Sequence, residues 1–150
     1  MSTAETSATE KVSLIRLLWA GPLAVVAAVL ANAIVGALAL RLLGISPRFL
    51  PLAGAQFIFL TVVGTGAGVI VFAVVSRLSK RPIRLFRLIA VIALLLSLAP
   101  DLALLAGGGA GPRAMPMEGV DLISVGTLMF MHIVAAVVSV GLTTTLAREP

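Results

Sequence analysis

Four long runs without lysine or arginine constrain this chain more than any other feature. Residues 17–40, 53–75 and 122–146 contain no acidic or basic side chain apart from one histidine, and residues 88–105 contain only Asp101. A helix that crosses the hydrocarbon core of a bilayer needs about 20 predominantly apolar residues, and each run is of that order. Composition agrees, since 60% of the 150 residues are hydrophobic and 11% charged, where soluble domains run near one half and one quarter. This excludes a soluble enzyme, a disordered chain and a nucleic-acid-binding domain, the net charge of +5 notwithstanding. The absence of cysteine removes disulfides, zinc–thiolate sites and iron–sulfur clusters. The expected fold is an all-α membrane protein with four transmembrane helices in an up-down-up-down bundle.

Residues 1–13 are polar and rich in Ser, Thr and Glu, and read as a disordered cytoplasmic tail ahead of a single transmembrane domain over 14–147. Arg41, Gly44, Pro47, Arg48 and Pro51 break the pattern after the first span. Residues 107–118, with four glycines and two prolines, read as a flexible loop before the fourth. Asp121 stands where an N-cap would open that last span. Although Ala37-Leu38-Ala39 fits a small-x-small cleavage pattern, a signal peptide's apolar region is about 7–15 residues long. The first run is longer and carries Asn32, so it is expected to be a retained span.

Lysine and arginine resist translocation and accumulate on the cytoplasmic side. Arg77, Lys80, Arg81, Arg84 and Arg87 crowd between the second and third spans, and with Lys11, Arg16 and Arg148 they make up eight of the eleven basic residues. Arg41, Arg48 and Arg113 are left for the other side. The bias places both termini in the cytoplasm. The five clustered cations either meet anionic lipid headgroups or serve as topology determinants alone, and the second role needs nothing further. No aromatic-interleaved surface accompanies them, so nucleic acid is not an expected partner.

Lipid tails are as apolar as leucine, so helices in a bilayer associate through small residues and polar contacts. Each span carries one such stripe: Ala24, Ala28, Asn32 and Gly36; Thr61, Gly64, Thr65 and Gly68; Ala90, Ala93, Ser97 and Asp101; Met129, His132, Ala136, Ser139 and Thr143. Gly64 and Gly68 form a small-xxx-small pair, expected to pack within the bundle, with a dimer face as the alternative.

Asp101 and His132 are the only groups within the spans able to change charge. A charge there costs at least about 2.5–3.5 kcal/mol, so such residues are functional candidates by default. At 1.5 Å per residue, Asp101 lies about 7 Å and Asn32 about 12 Å below the outer ends of their spans, with Ser97 and His132 about 13 and 16 Å down. The depths let Asp101 reach Asn32 or Thr61 and predict a water or hydroxyl between Asp101 and His132. Pro100 is expected to kink the third span and free the carbonyl of Leu96 for the His132 imidazole. Asn32, Thr61, Ser97, Asp101 and His132 thus form either a proton-responsive or cation-binding cavity, or a polar clasp that only holds the helices together. Met115, Met117, Met129 and Met131 are soft enough for Cu(I), but Met is also a common apolar filler, and Met129 and Met131 point to different helix faces. No metal, haem or other cofactor is expected, and no residue set suggests catalysis.

Several segments together resemble an uncharacterised bacterial family of four-span membrane proteins. They are Trp19 with Leu30-Ala31-Asn32; Val62-Val63-Gly64-Thr65 through Val71-Phe72-Ala73; Arg81-Pro82 through Phe86-Arg87; Leu96-Ser97-Leu98-Ala99-Pro100-Asp101; and Met131-His132-Ile133-Val134-Ala135-Ala136. The resemblance runs from Arg16 to Leu146. It implies the four-helix architecture and a bacterial plasma membrane, singles out Asn32, Asp101 and His132, and brings no activity. The expected role is a non-enzymatic accessory or scaffold subunit, or a homo-oligomer, embedded in the lipid bilayer. The alternative is a small transporter, channel or proton-responsive sensor working through Asp101 and His132.

Overall fold

The computed structural model describes residues 10–53, 55–107 and 118–149. They form five helices: α1 (Leu14–Leu42), α2 (Leu50–Ala53), α3 (Gln56–Leu78), α4 (Pro82–Ala106) and α5 (Leu122–Leu146). Four are long and apolar enough to cross a membrane. At 1.5 Å per residue they measure about 35–44 Å, longer than a hydrocarbon core of about 30 Å. Among the described residues there is no strand, only an isolated antiparallel bridge between Val12 and Arg148.

The polarity of the fold is inverted with respect to a water-soluble protein. Asn32, Thr61, Thr65, Asp101, Ser139, Thr143 and Thr144 are buried, whereas Leu18, Trp19, Ile34, Ile70, Leu95 and Val137 stand exposed. Such a surface is stable only against lipid, and the small polar residues mediate the helix contacts. The chain is a membrane-embedded helical protein.

Two apolar clusters close the ends. Leu17, Phe72, Val75, Ile83, Phe86 and Ala147 gather at one, with the Phe72 and Phe86 rings 4.6 Å apart. Ala39, Ile45, Phe49, Leu52 and Met131 gather at the other. Between them the partners of α1 run backwards along α3: Gly21 lies against Val69 and Asn32 bonds Thr61. Those two helices are therefore antiparallel.

Local chemistry sets the helix ends. Ser13 caps α1, accepting from Arg16 N, and Asp121 caps α5, accepting from Ser124 N at 2.6 Å. Gly44, with φ +65, supplies the left-handed residue just after α1. The α4 N-terminus has no cap of its own, because the Arg81 side chain makes no such bond. Glu10 fills the role from a distance, its Oε2 accepting from Ile83 N at 2.9 Å and Arg84 N at 3.3 Å. Of the stretch read as a tail, residues 10–13 are thus anchored. Ser13 N donates to the Ala147 carbonyl and Glu149 N to that of Lys11.

The helices also differ in extent from the apolar runs. α1 begins at Leu14 and continues through Pro22 to Leu42, enclosing Arg16 and Arg41, because helix propagation does not stop where hydrophobicity does. α4 begins at Pro82, so Arg84 and Arg87 lie on its first turns and only residues 79–81 join α3 to α4. The expected loop before the second span contains the short α2, and Phe49 ahead of it is fully buried.

Candidate functional site

Asp101 and His132 touch. Asp101 Oδ2 lies 3.3 Å from His132 Nδ1, which overturns the expectation of a bridging water. The depth count treated side chains as points on level helices. The Cα–Cβ bond tilts toward a helix's own N-terminus, so on oppositely directed neighbours the two side chains lean toward one another and close several ångströms. Ile83 and Phe86 share one apolar cluster with Ala147, and Asp101 meets His132 farther along, which gives α4 and α5 those opposite directions.

The contact is electrostatic rather than a directed hydrogen bond. Nδ1 carries at most one hydrogen, and it points to the Leu128 carbonyl one turn back at 2.9 Å. The imidazole thus finds its partner in its own helix, not in the Leu96 carbonyl expected from Pro100. α4 runs on through Pro100 to Ala106, and Ser97 Oγ turns back on its own helix, donating to Leu94 O at 2.7 Å. Asp101 Oδ2 is left buried without a hydrogen bond.

Asn32 and Thr61 form the second polar contact. Asn32 Nδ2 donates to Thr61 Oγ1 at 3.1 Å, joining α1 to α3, while Thr65 Oγ1 donates to the Thr61 carbonyl. Asn32 Oδ1, like Asp101 Oδ2, is buried and unpaired. The sequence stripes led to Asn32 and Thr61 on facing helices. Asp101 reaches neither with a hydrogen bond among the described residues and lies against His132 instead.

All five expected site residues line one cavity of about 870 Å³ between α3, α4 and α5, with Asn32 reaching in from α1. Its wall is mostly apolar. Gly64 and Gly68 line it too, and a Cβ built on either meets nothing within 4 Å. Their expected role in packing within the bundle is therefore corrected: they leave room. The close approach belongs to Gly21, where an added Cβ would lie 2.6 Å from Val69 Cγ1. The signal for it was an extension of the α1 stripe by one turn, Gly21-x-x-Ala24.

The cavity exists because α4 is held mainly near its two ends. Of its residues only Pro82, Ile83, Phe86 and Asp101 are buried. Ala90 and Ala93, expected on its packed face, instead line the gap. A buried carboxylate without a partner costs several kcal/mol, so the stable arrangements of Asp101 and His132 have no net charge: an ion pair, or both groups neutral. No other charged or titratable residue lines the cavity among the described residues.

The basic residues sit apart from this site. Arg77 closes α3, Lys80 and Arg81 form the turn, and Arg84 and Arg87 follow on α4, all exposed. None of the five is in an ion pair among the described residues. They share an end of the molecule with Glu10 and with the paired segments before α1 and after α5. Met131 is buried in an apolar cluster, and Met115, Met117 and Arg113 lie outside the described residues.

No curated protein and no solved structure matches the chain at a significant level. Residues 13–149 match a family of unknown function (DUF6069), and the match extends over all four long helices, so the chain belongs to that family.

Proposed function

We propose that this protein is a small, non-enzymatic, proton-responsive transporter or sensor of a bacterial plasma membrane, working through the Asp101–His132 pair. The four long helices form an up-down-up-down bundle with both termini in the cytoplasm. Supporting that orientation, the five clustered cations share one end of the molecule with the paired segments 10–13 and 147–149, as positively charged cytoplasmic loops require. The observation that carries the functional reading is the 3.3 Å contact between two ionisable groups on a cavity wall, with Asp101 Oδ2 unpaired. A clasp serving stability alone would satisfy its polar atoms, since each buried unpaired group costs about 1–3 kcal/mol.

The chain has a single histidine, so its ring nitrogens give an unambiguous NMR report in ligand-free protein. A His132 ring that changes protonation between about pH 5 and 8, with Asp101→Asn altering that change, supports the reading. A ring that keeps one protonation state throughout overturns it. Reconstituted vesicles then separate the roles: a pH-dependent flux lost in folded His132→Gln marks a transporter, and its absence leaves a sensor.

A second reading is an accessory subunit or homo-oligomer, favoured by the thin packing of α4, which buries only Asp101 beyond its first five residues. The mass of the intact assembly extracted from native membranes in mild detergent tests it.

A further inference from the structure

We propose that the cavity binds a membrane-dissolved primary amine, its ammonium head at Asp101 and Asn32 and its alkyl body along α3 and α4. This rests on the reading of the Asp101–His132 cavity as the working site and adds its ligand.

Asn32 Oδ1 is an acceptor without a donor, and so is Asp101 Oδ2. The fully buried polar atoms left bare on this wall are thus both acceptors, and each asks for a donor. Asn32 and Asp101 are 3% and 4% exposed, so bulk water reaches them poorly and the deficit is costly to leave. A primary ammonium carries three donors and no acceptor, and its charge answers the carboxylate. An alcohol offers one donor and no charge. A carboxylate or phosphate would bring further acceptors to these two and repulsion to the carboxylate.

The remainder of the cavity describes the body of the ligand. Leu60, Val71, Ile89 and Leu104 line it, and such a wall accepts an alkyl chain but not a polar solute. Gly64 and Gly68 withhold side chains where the space lies. At about 870 Å³ the cavity is within the range that takes drug-sized ligands, roughly 300–1,000 Å³. α3 and α4 pack through Phe72 and Phe86 at one end, and Gly64, Ala90 and Ala93 line the gap between them, the lateral path for a molecule dissolved in the bilayer.

The test uses the full chain in a non-ionic detergent at pH 7, with decylamine, decanol and decanoate titrated against the thermal unfolding midpoint. Decylamine is expected to bind about tenfold or more tightly than decanol, the worth of a charge-assisted hydrogen bond, and decanoate more weakly still. Asp101→Asn is expected to erase the preference of amine over alcohol. Equal binding of all three by the unsubstituted protein overturns the proposal, as does an amine preference that survives in Asp101→Asn. Should Asp101→Asn fail to fold, Gly64→Leu decides: it fills open space without touching the polar groups. Loss of decylamine binding there supports the site, and retention overturns it. A failure here leaves the protonation of His132 in the ligand-free protein standing or falling on its own measurement.

Discussion

Gly21→Ala and Gly64→Ala are the same chemical change on two membrane helices, and the structure gives them different consequences. At Gly21 the new methyl would sit 2.6 Å from Val69 Cγ1 and 3.6 Å from Cγ2, where carbon atoms prefer about 3.5–4.0 Å. Val69 cannot swing aside freely, because a β-branched side chain in a helix has one strongly preferred rotamer. α1 and α3 must therefore separate by nearly an ångström, and overpacking of this kind costs about 1–3 kcal/mol. Gly21 also precedes Pro22, where a Cβ would crowd the proline ring within a helix. At Gly64 nothing lies within 4 Å, and the added methyl should change stability by less than about 0.5 kcal/mol. Unfolding in mixed dodecylmaltoside and SDS micelles suits the comparison, since SDS leaves the denatured chain helical and helix propensity largely cancels. Repeating Gly21→Ala in a Val69→Ala background isolates the steric part, with an expected coupling of about 1 kcal/mol or more. Equal cost at the two glycines, or equal cost of Gly21→Ala with and without Val69, would refute the packing argument.

Three further outcomes follow from the helix ends and loops. Glu10→Gln should weaken the remote cap on α4 and raise hydrogen exchange at the Ile83 and Arg84 amides, with a stability loss of about 0.5–1 kcal/mol; unchanged protection would show that the cap holds nothing. The Ser124 N–H, donating to the Asp121 carboxylate, holds that group below its usual range. Because its folded pKa lies below the unfolded value, the stabilisation is complete above the unfolded pKa near 3.9 and disappears as pH falls through the folded one. Asp121→Asn should remove this part of the acid sensitivity of the unfolding midpoint, and an identical acid profile in the variant would contradict the assignment. The Arg48–Glu118 pair is 3.1 Å long, but its side chains are 79% and 64% exposed, so Arg48→Ala should change stability by less than about 1 kcal/mol in the same micelle titration.

The four spans, the Asp121 cap and the buried stripe of α1 could be read without a structure, for one physical reason. Each depends on residues near one another in sequence. Ala24, Ala28, Asn32 and Gly36 recur every fourth residue and all four are buried, because a helix fixes its own faces. Transfer from water to lipid is a sum over one helix, so a long apolar run declares itself whatever its neighbours do.

What tertiary structure alone decided concerns distances between helices. Gly64 and Gly68 carry the same motif whether another helix approaches or not, and here α4 stands off and leaves a cavity. Gly21 looked no different from them, yet Val69 fills the space beside it. Asp101 and His132 came into contact through the relative shift of α4 and α5 and the lean of their side chains, quantities that a residue count along either helix does not contain. Glu10 found the amides of Ile83 and Arg84 some seventy residues away. Hydrophobicity places helices in the bilayer, but their spacing and stagger are settled by every side chain packing at once, and the site lies in that spacing.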